Sequence, residues 1–157
     1  MTSKNPVDAE VVVVGVDGSE ASKDALRWAI RYARMAGATV HAVTAWQHPA
    51  SFGWAPSPAI LEIDLEDAAR QALKETIQQV VGAQEPVTVQ TKVVEGPPAL
   101  MLLKASEGAD LLVVGSSGHG AFAGMLLGSV SEHCVHHAAC PVVVTRYASD
   151  RPGRRPA

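Results

Sequence analysis

The sequence predicts a doubly wound α/β domain, a parallel sheet with helices on both faces. Three observations predict it. Apolar runs rich in β-branched residues recur at 11–16, 39–45, 87–94, 111–115 and 141–145, without the polar alternation of a half-exposed strand. Segments of helical spacing lie between them, and strands alternating with helices build parallel sheets through right-handed crossovers. The length of 157 residues suits one core.

Each element has local reasons. The first run, Val11 to Val16, precedes a helix that Ser19 caps, that carries Ala25, Leu26, Ala29, Ile30 and Ala33 on one stripe, and that stops at Gly37. The second run, Thr39 to Ala45, leads into WQHPASFGWAPS at 46–57, an aperiodic stretch that reads either as a lid or as a mobile surface connection. A second helix is expected to start at Ser57 and Pro58, to turn Leu61, Leu65, Ala69, Leu73 and Ile77 inward, and to end at Gly82. The third run, Val87 to Val94, is followed by a short helix from Pro97 to Glu107 that ends at Gly108. After the fourth run, Leu111 to Gly115, the last helix opens with Ser129-Val130-Ser131-Glu132. That reads as a capping box in which Ser129 accepts from residue 132 and Glu132 reaches back. The helix runs to about Ala138, and Pro141 to Thr145 is the final strand.

Composition narrows the function classes. With 47% hydrophobic and 18% charged residues the chain is ordinary globular material. A net charge of −3 gives no footprint for wrapping nucleic acid, and no nucleic-acid partner is expected. The basic cluster Arg146, Arg151, Arg154 and Arg155 falls mostly in a Pro-rich tail, so a single domain over 1–147 and a flexible tail over 148–157 are expected. Cys134 and Cys140 match neither a redox pair nor a zinc ribbon and read as reduced thiols. The first ten residues lack a signal-peptide run, and nothing approaches the ~20 apolar residues of a membrane span, which leads to the expectation of a cytoplasmic protein without membrane contact.

Ligands of open α/β sheets bind outside the carboxyl ends of the strands, where strand order reverses. Two strand exits carry suitable residues. Gly15-Val16-Asp17-Gly18-Ser19 places a carboxylate before a helix start, where it would accept from ribose hydroxyls or a base amine, hold a metal, or merely favour the helix N-terminus. Gly115-Ser116-Ser117-Gly118 is followed by nine residues and then Gly128-Ser129. Such a loop ahead of a helix is an anion cradle, or else a flexible connection whose serine caps a helix. Glu132 would weaken the cradle by its charge. The P-loop and the G-x-G-x-x-G fingerprint are both absent. His133 and His137, four apart with His136, Cys134 and Cys140 near them, suggest a zinc chelate, but no carboxylate is placed by sequence to complete one, and no metal site is expected. A phosphoacceptor receiver domain would need an aspartate at the third strand's exit, where Val94-Glu95-Gly96 stands.

On these residues the chain resembles the universal stress protein family over about 10–146. Gly115-x2-Gly118-x9-Gly128-Ser129 is similar to that family's ATP-binding signature, and V-D-G-S-E-A-S at 16–22 and C-P-V-V-V at 140–144 resemble its edges. The resemblance implies a five-stranded parallel sheet in the order 3-2-1-4-5, of the adenine-nucleotide α-hydrolase-like kind. It implies ATP or another adenine nucleotide, alone or with Mg2+, between the first and fourth strand exits. Asp17 would meet ribose or adenine and Val43 the base, with Gly15 and Val16 beside them. Gly115, Ser116, Gly118, His119, Gly128, Ser129, Val130 and Ser131 would surround ribose and phosphates. It also implies a homodimer through Val142 to Thr145. Ser117 departs from the family pattern, in which arginine is common at that place. Fast hydrolysis depends on cations at the phosphates, and no Lys or Arg occurs from Gly115 to His137. The expected function is therefore a nucleotide-dependent stress sensor or switch rather than an enzyme, the alternative being a dimeric interaction module without nucleotide.

Overall fold

The computed structural model describes residues 8–48, 64–82, 85–117 and 127–146. Five strands, β1 (Val11–Gly15), β2 (Thr39–Trp46), β3 (Val89–Glu95), β4 (Leu111–Gly115) and β5 (Val142–Thr145), form one sheet in the order β3-β2-β1-β4-β5. All four neighbouring pairs are parallel, with Val12 opposite Val40 on one side and Leu111 on the other. The described helices are α1 (Glu20–Ala36), α2 (Leu65–Val80), α3 (Pro98–Ala105) and α4 (Ser129–His137).

Alternation along the strands sorts the core into two faces. Val12, Val14 and Val16 of the first strand segment point toward α1 and α2, packing with Leu26, Ala29, Ile30 and Leu73. Val13, Val43, Leu112 and Val114 point the other way, toward Leu102 of α3 and Cys134 of α4. The predicted doubly wound arrangement and strand order are those observed. Only the central strands are as buried as the apolar runs suggested: β3 lies at one edge and exposes Gln90, Thr91 and Lys92.

Helix α1 follows the sequence closely. Ser19 is its cap and accepts from the Ser22 amide, and Gly37 ends it at φ 68°. That left-handed turn strains a residue with a Cβ and suits glycine. α2 differs. Asp64 caps it by accepting from the Asp67 amide at 3.0 Å, so the helix begins at Leu65 and not at Ser57-Pro58. Ser57, Pro58 and Leu61 lie outside the described residues. Its end is an extended Val81, with no left-handed turn at Gly82. α3 is shorter than expected because Ser106 turns back, its Oγ donating to the Leu103 carbonyl at 2.8 Å.

The capping box expected at Ser129 is not formed. Gly128 is the cap and Ser129 the first helical residue, because the Glu132 amide donates to the Gly128 carbonyl at 2.9 Å. The serine that bonds back is Ser131.

Candidate functional site

The crevice expected from topology lies where β1 sends its chain to α1 on one face and β4 sends its chain toward α4 on the other. At the β1 exit, Val16 leaves the strand but stays pinned to β2. Its amide donates to the Val43 carbonyl at 2.9 Å, and its own carbonyl accepts from Thr44 Oγ1 at 2.7 Å. The Val16 and Val43 side chains are buried on opposite faces, so these two residues border the crevice mainly with backbone.

Asp17, next along, is exposed. Its Oδ1 accepts from the Ser19 amide at 2.9 Å and from the Ser19 hydroxyl. Ser22 completes the turn, its Oγ accepting from the Asp17 amide at 3.3 Å and donating to the Ser19 carbonyl at 2.9 Å. Asp17 therefore braces the cap of α1 without being the cap. Thr44 and Ser22 were not singled out from sequence, although the S-E-A-S spacing of Ser19 and Ser22 was a usable signal.

At the β4 exit the chain is clamped twice. The Ser116 amide donates to the Thr145 carbonyl at 2.7 Å, and the Ser116 carbonyl accepts from the Gly128 amide at 2.6 Å. Ser131 Oγ, buried in the first turn of α4, reaches the Ser116 and Gly128 carbonyls at 3.2 and 2.9 Å. These bonds seat the α4 N-terminus on the end of β4. By helix geometry the amides of Ser129, Val130 and Ser131 belong to the first turn, the end that favours anions. Glu132 is an exposed acid in the same turn.

The glycines here have different causes. A Cβ on Gly115 would stand 2.9 Å from the Ala21 carbonyl oxygen, so α1 itself demands glycine there. A Cβ on Gly15 would stand 2.7 Å from Leu102 Cδ1. At Gly128 the nearest atoms would be 3.5 Å away, an ordinary contact, and φ is −72°. The protein's own packing does not require glycine at that cap. Gly118 and His119 lie outside the described residues, as does 49–57 of the aperiodic stretch.

Below the site, burial pushes the Cys134 thiol up to about 11, with Cys140 adding to the rise, so Cys134 packs as a neutral thiol. His133 and His137 have ring centroids 4.8 Å apart, yet among the described residues no three His, Cys, Asp or Glu side chains gather as a metal site. Nor is any helix among them long and apolar enough to cross a membrane.

Comparison with known proteins agrees with this fold. The model of the universal stress protein family matches residues 9–146. A universal stress protein of Mycobacterium bovis is 37% identical over 139 residues, covering 85% of this chain and 46% of the relative. The chain thus spans about half the length of the curated relatives it matches. A solved universal stress protein UspA from Lactobacillus plantarum has a TM-score of 0.72 at 23% identity, covering 89% of this chain and 99% of that one. A second solved universal stress protein, in complex with cAMP, has a TM-score of 0.58 at 28% identity, covering 88% and 97%.

Proposed function

Because the chain belongs to the universal stress protein family, we propose that it binds ATP or a related adenine nucleotide between the β1 and β4 exits and serves as a cytoplasmic stress-response sensor or switch. The observation that carries this reading is the seating of the α4 N-terminus on β4 through Ser116 and Gly128, beside a glycine whose missing side chain the protein itself does not need. That space and the first-turn amides of Ser129 to Ser131 suit a phosphate. Asp17 suits ribose hydroxyls, which would share its carboxylate with Ser19. Val43 borders the crevice where the base would lie. The solved relative in complex with cAMP supports an adenine ring in a site of this fold.

Turnover is slow or absent in this reading. The described charged side chains at the two exits, Asp17 and Glu132, are both acidic, whereas phosphoryl transfer draws on cations worth about 10³ to 10⁵ in rate for an arginine finger alone. Mg2+ carried in by the triphosphate would offset part of that deficit. The active species is a homodimer joined through the β5 edge, Val142 to Thr145.

Isothermal titration of nucleotide-stripped protein with Mg-ATP, with GTP as control, tests the proposal. Saturable ATP binding that Asp17→Asn weakens by about 10 to 150-fold, the value of one charge-assisted hydrogen bond, supports it. A folded protein that takes up no ATP at millimolar concentration is instead a dimeric interaction module.

A further inference from the structure

Three of the chain's six histidines, His133, His136 and His137, fall within the last five residues of α4. All three are exposed, whereas Cys134 beside them is buried in the core. None of them belongs to the proposed nucleotide site. We propose that His133 and His137 chelate one divalent transition-metal ion of the zinc, nickel or copper class, with water filling the remaining coordination positions.

The geometry of the pair carries the proposal. Residues four apart stand on one face of a helix, one turn from each other, so two imidazoles so placed can aim a nitrogen each at a common point. The two rings do meet here, with centroids 4.8 Å apart and planes at 46°, tilted rather than stacked. An ion about 2.0 to 2.1 Å from each nitrogen lies roughly 3.2 Å from each ring centre, which sets the centres about 4.5 Å apart at a right angle and about 5.2 Å apart at a tetrahedral one. The observed separation falls between those limits. The ring of His136 is 6.3 Å from that of His137, beyond that span. The chelate therefore has two protein donors, in keeping with the absence of any three-donor group among the described residues.

Ligand chemistry selects the ion. Imidazole nitrogen suits zinc, nickel and copper, whereas Mg2+ and Ca2+ take oxygen. Cys134 does not compete, because the thiolate is the metal ligand and burial keeps this thiol protonated up to about 11. The helix favours a cation at this end: His137 is its last residue, where the dipole is negative. From Ser129 to His137 there is no lysine or arginine, and Glu132 adds a negative charge. With nine residues, α4 is too short to hold its shape alone. A clip from His133 to His137 spans its last turn, and an ion that binds only the folded chain stabilises it by linkage.

The test is a titration of the full chain, without affinity tag or nucleotide, with ZnCl2 and separately with MgCl2, read by histidine ring chemical shifts and by urea unfolding. Expected are saturable shifts of the His133 and His137 rings at one Zn2+ per chain, a urea midpoint that rises with Zn2+, and no response of these rings to Mg2+. His133→Asn and His137→Asn should each weaken Zn2+ at least about tenfold, the lower end of the cost of losing even an outer-sphere partner of a metal site, and each should abolish the rise in midpoint. His136→Asn should keep the parent's affinity. The same variants should bind Mg-ATP at the strand exits as the parent does, which separates failure here from failure of the nucleotide reading. The proposal is overturned by the absence of saturation at about 1 mM Zn2+, by unchanged affinity in either His133→Asn or His137→Asn, or by a loss in His136→Asn as large as in His137→Asn. Saturation at one ion per two chains, the mark of a bridge between copies, overturns it equally, as does loss of the ion in Cys140→Ser.

Discussion

Replacing Gly115 by alanine sets a Cβ 2.9 Å from the Ala21 carbonyl oxygen, 3.0 Å from its carbon and 3.2 Å from its Cβ. Two of those atoms are backbone in the first turn of α1, so no rotamer change relieves the clash; α1 must move off β4. Overpacking of this kind costs about 1 to 3 kcal/mol. The alanine returns about 0.4 to 1 kcal/mol by restricting the unfolded chain, leaving a net loss centred at about 1.3 kcal/mol and no greater than about 2.6 kcal/mol. Gly128→Ala is the matched contrast. Its Cβ meets Ser116 O and Ser117 Cα at 3.5 Å and Ser131 Oγ at 3.8 Å, with φ −72° and ψ 168°. Only the modest preference for glycine over alanine at a helix cap is lost, less than about 1 kcal/mol. Urea unfolding followed by far-ultraviolet circular dichroism measures both, and ATP titration on the same samples measures the site. Gly115→Ala should unfold at a lower urea midpoint with an unchanged slope. Gly128→Ala should unfold nearly as the parent does, yet bind ATP at least about tenfold more weakly, because its methyl occupies space that only a ligand uses. A Gly115→Ala variant as stable as the parent would refute the packing argument. Parent-like ATP affinity in Gly128→Ala would refute the cradle.

Two further outcomes follow from the same geometry. Gly15→Ala also crowds a neighbour, Leu102 Cδ1 at 2.7 Å, but that atom ends a side chain able to shift; the variant should lose less than Gly115→Ala, and Leu102→Val in the same chain should recover at least about 0.5 kcal/mol in a double-mutant cycle. Cys134 keeps its proton to about 11 when folded, against an ordinary 9.0. Between those pH values the unfolded chain binds fewer protons than the folded one, so stability is fully present below pH 9 and declines toward pH 11, by about 3 kcal/mol at most. Tyr32, held protonated mainly by its hydrogen bond to Glu10, gives a slope of the same sign. The difference between parent and Cys134→Ser in urea midpoints from pH 8 to 11 therefore isolates the thiol, and identical pH profiles would refute the assignment.

What could be read from sequence tracks where the causes are local. α1 was legible at both ends because Ser19 and Gly37 cap it with their own atoms and its stripe faces one wall of the core. β1 and β4 were legible as apolar runs because the sheet buries them on both faces. α4 was misread at its first residue because two serines compete there, and Ser131 makes the bond back only because Ser116 is clamped beside it by β5. That is a tertiary fact. Gly115 stood out as a glycine of the right spacing, but its reason, Ala21, lies across the sheet in another element. The place of Arg146 was invisible for the same cause: the sequence grouped it with Arg151, Arg154 and Arg155 as one basic cluster, and only the fold sets it at the end of β5 beside α1.

The distribution of charge then bears on what the protein does. A fold that binds nucleotide phosphates can hold them with lysine and arginine, or with backbone amides and a helix end. Here no lysine or arginine occurs from Gly115 to His137, and the described charged groups at the crevice are Asp17 and Glu132. Amides and a helix dipole are fixed in position by the bonds of Ser116, Gly128 and Ser131. In the proposed reading these amides hold a phosphate, and slow turnover follows from the acidic side chains beside them, where phosphoryl transfer would draw on cations. β5 pairs with β4 on one side only, and its Thr145 carbonyl accepts from the Ser116 amide at the β4 exit. In the proposed homodimer a second copy would pair with this same edge, which makes β5 the physical link between a ligand at the β4 exit and assembly.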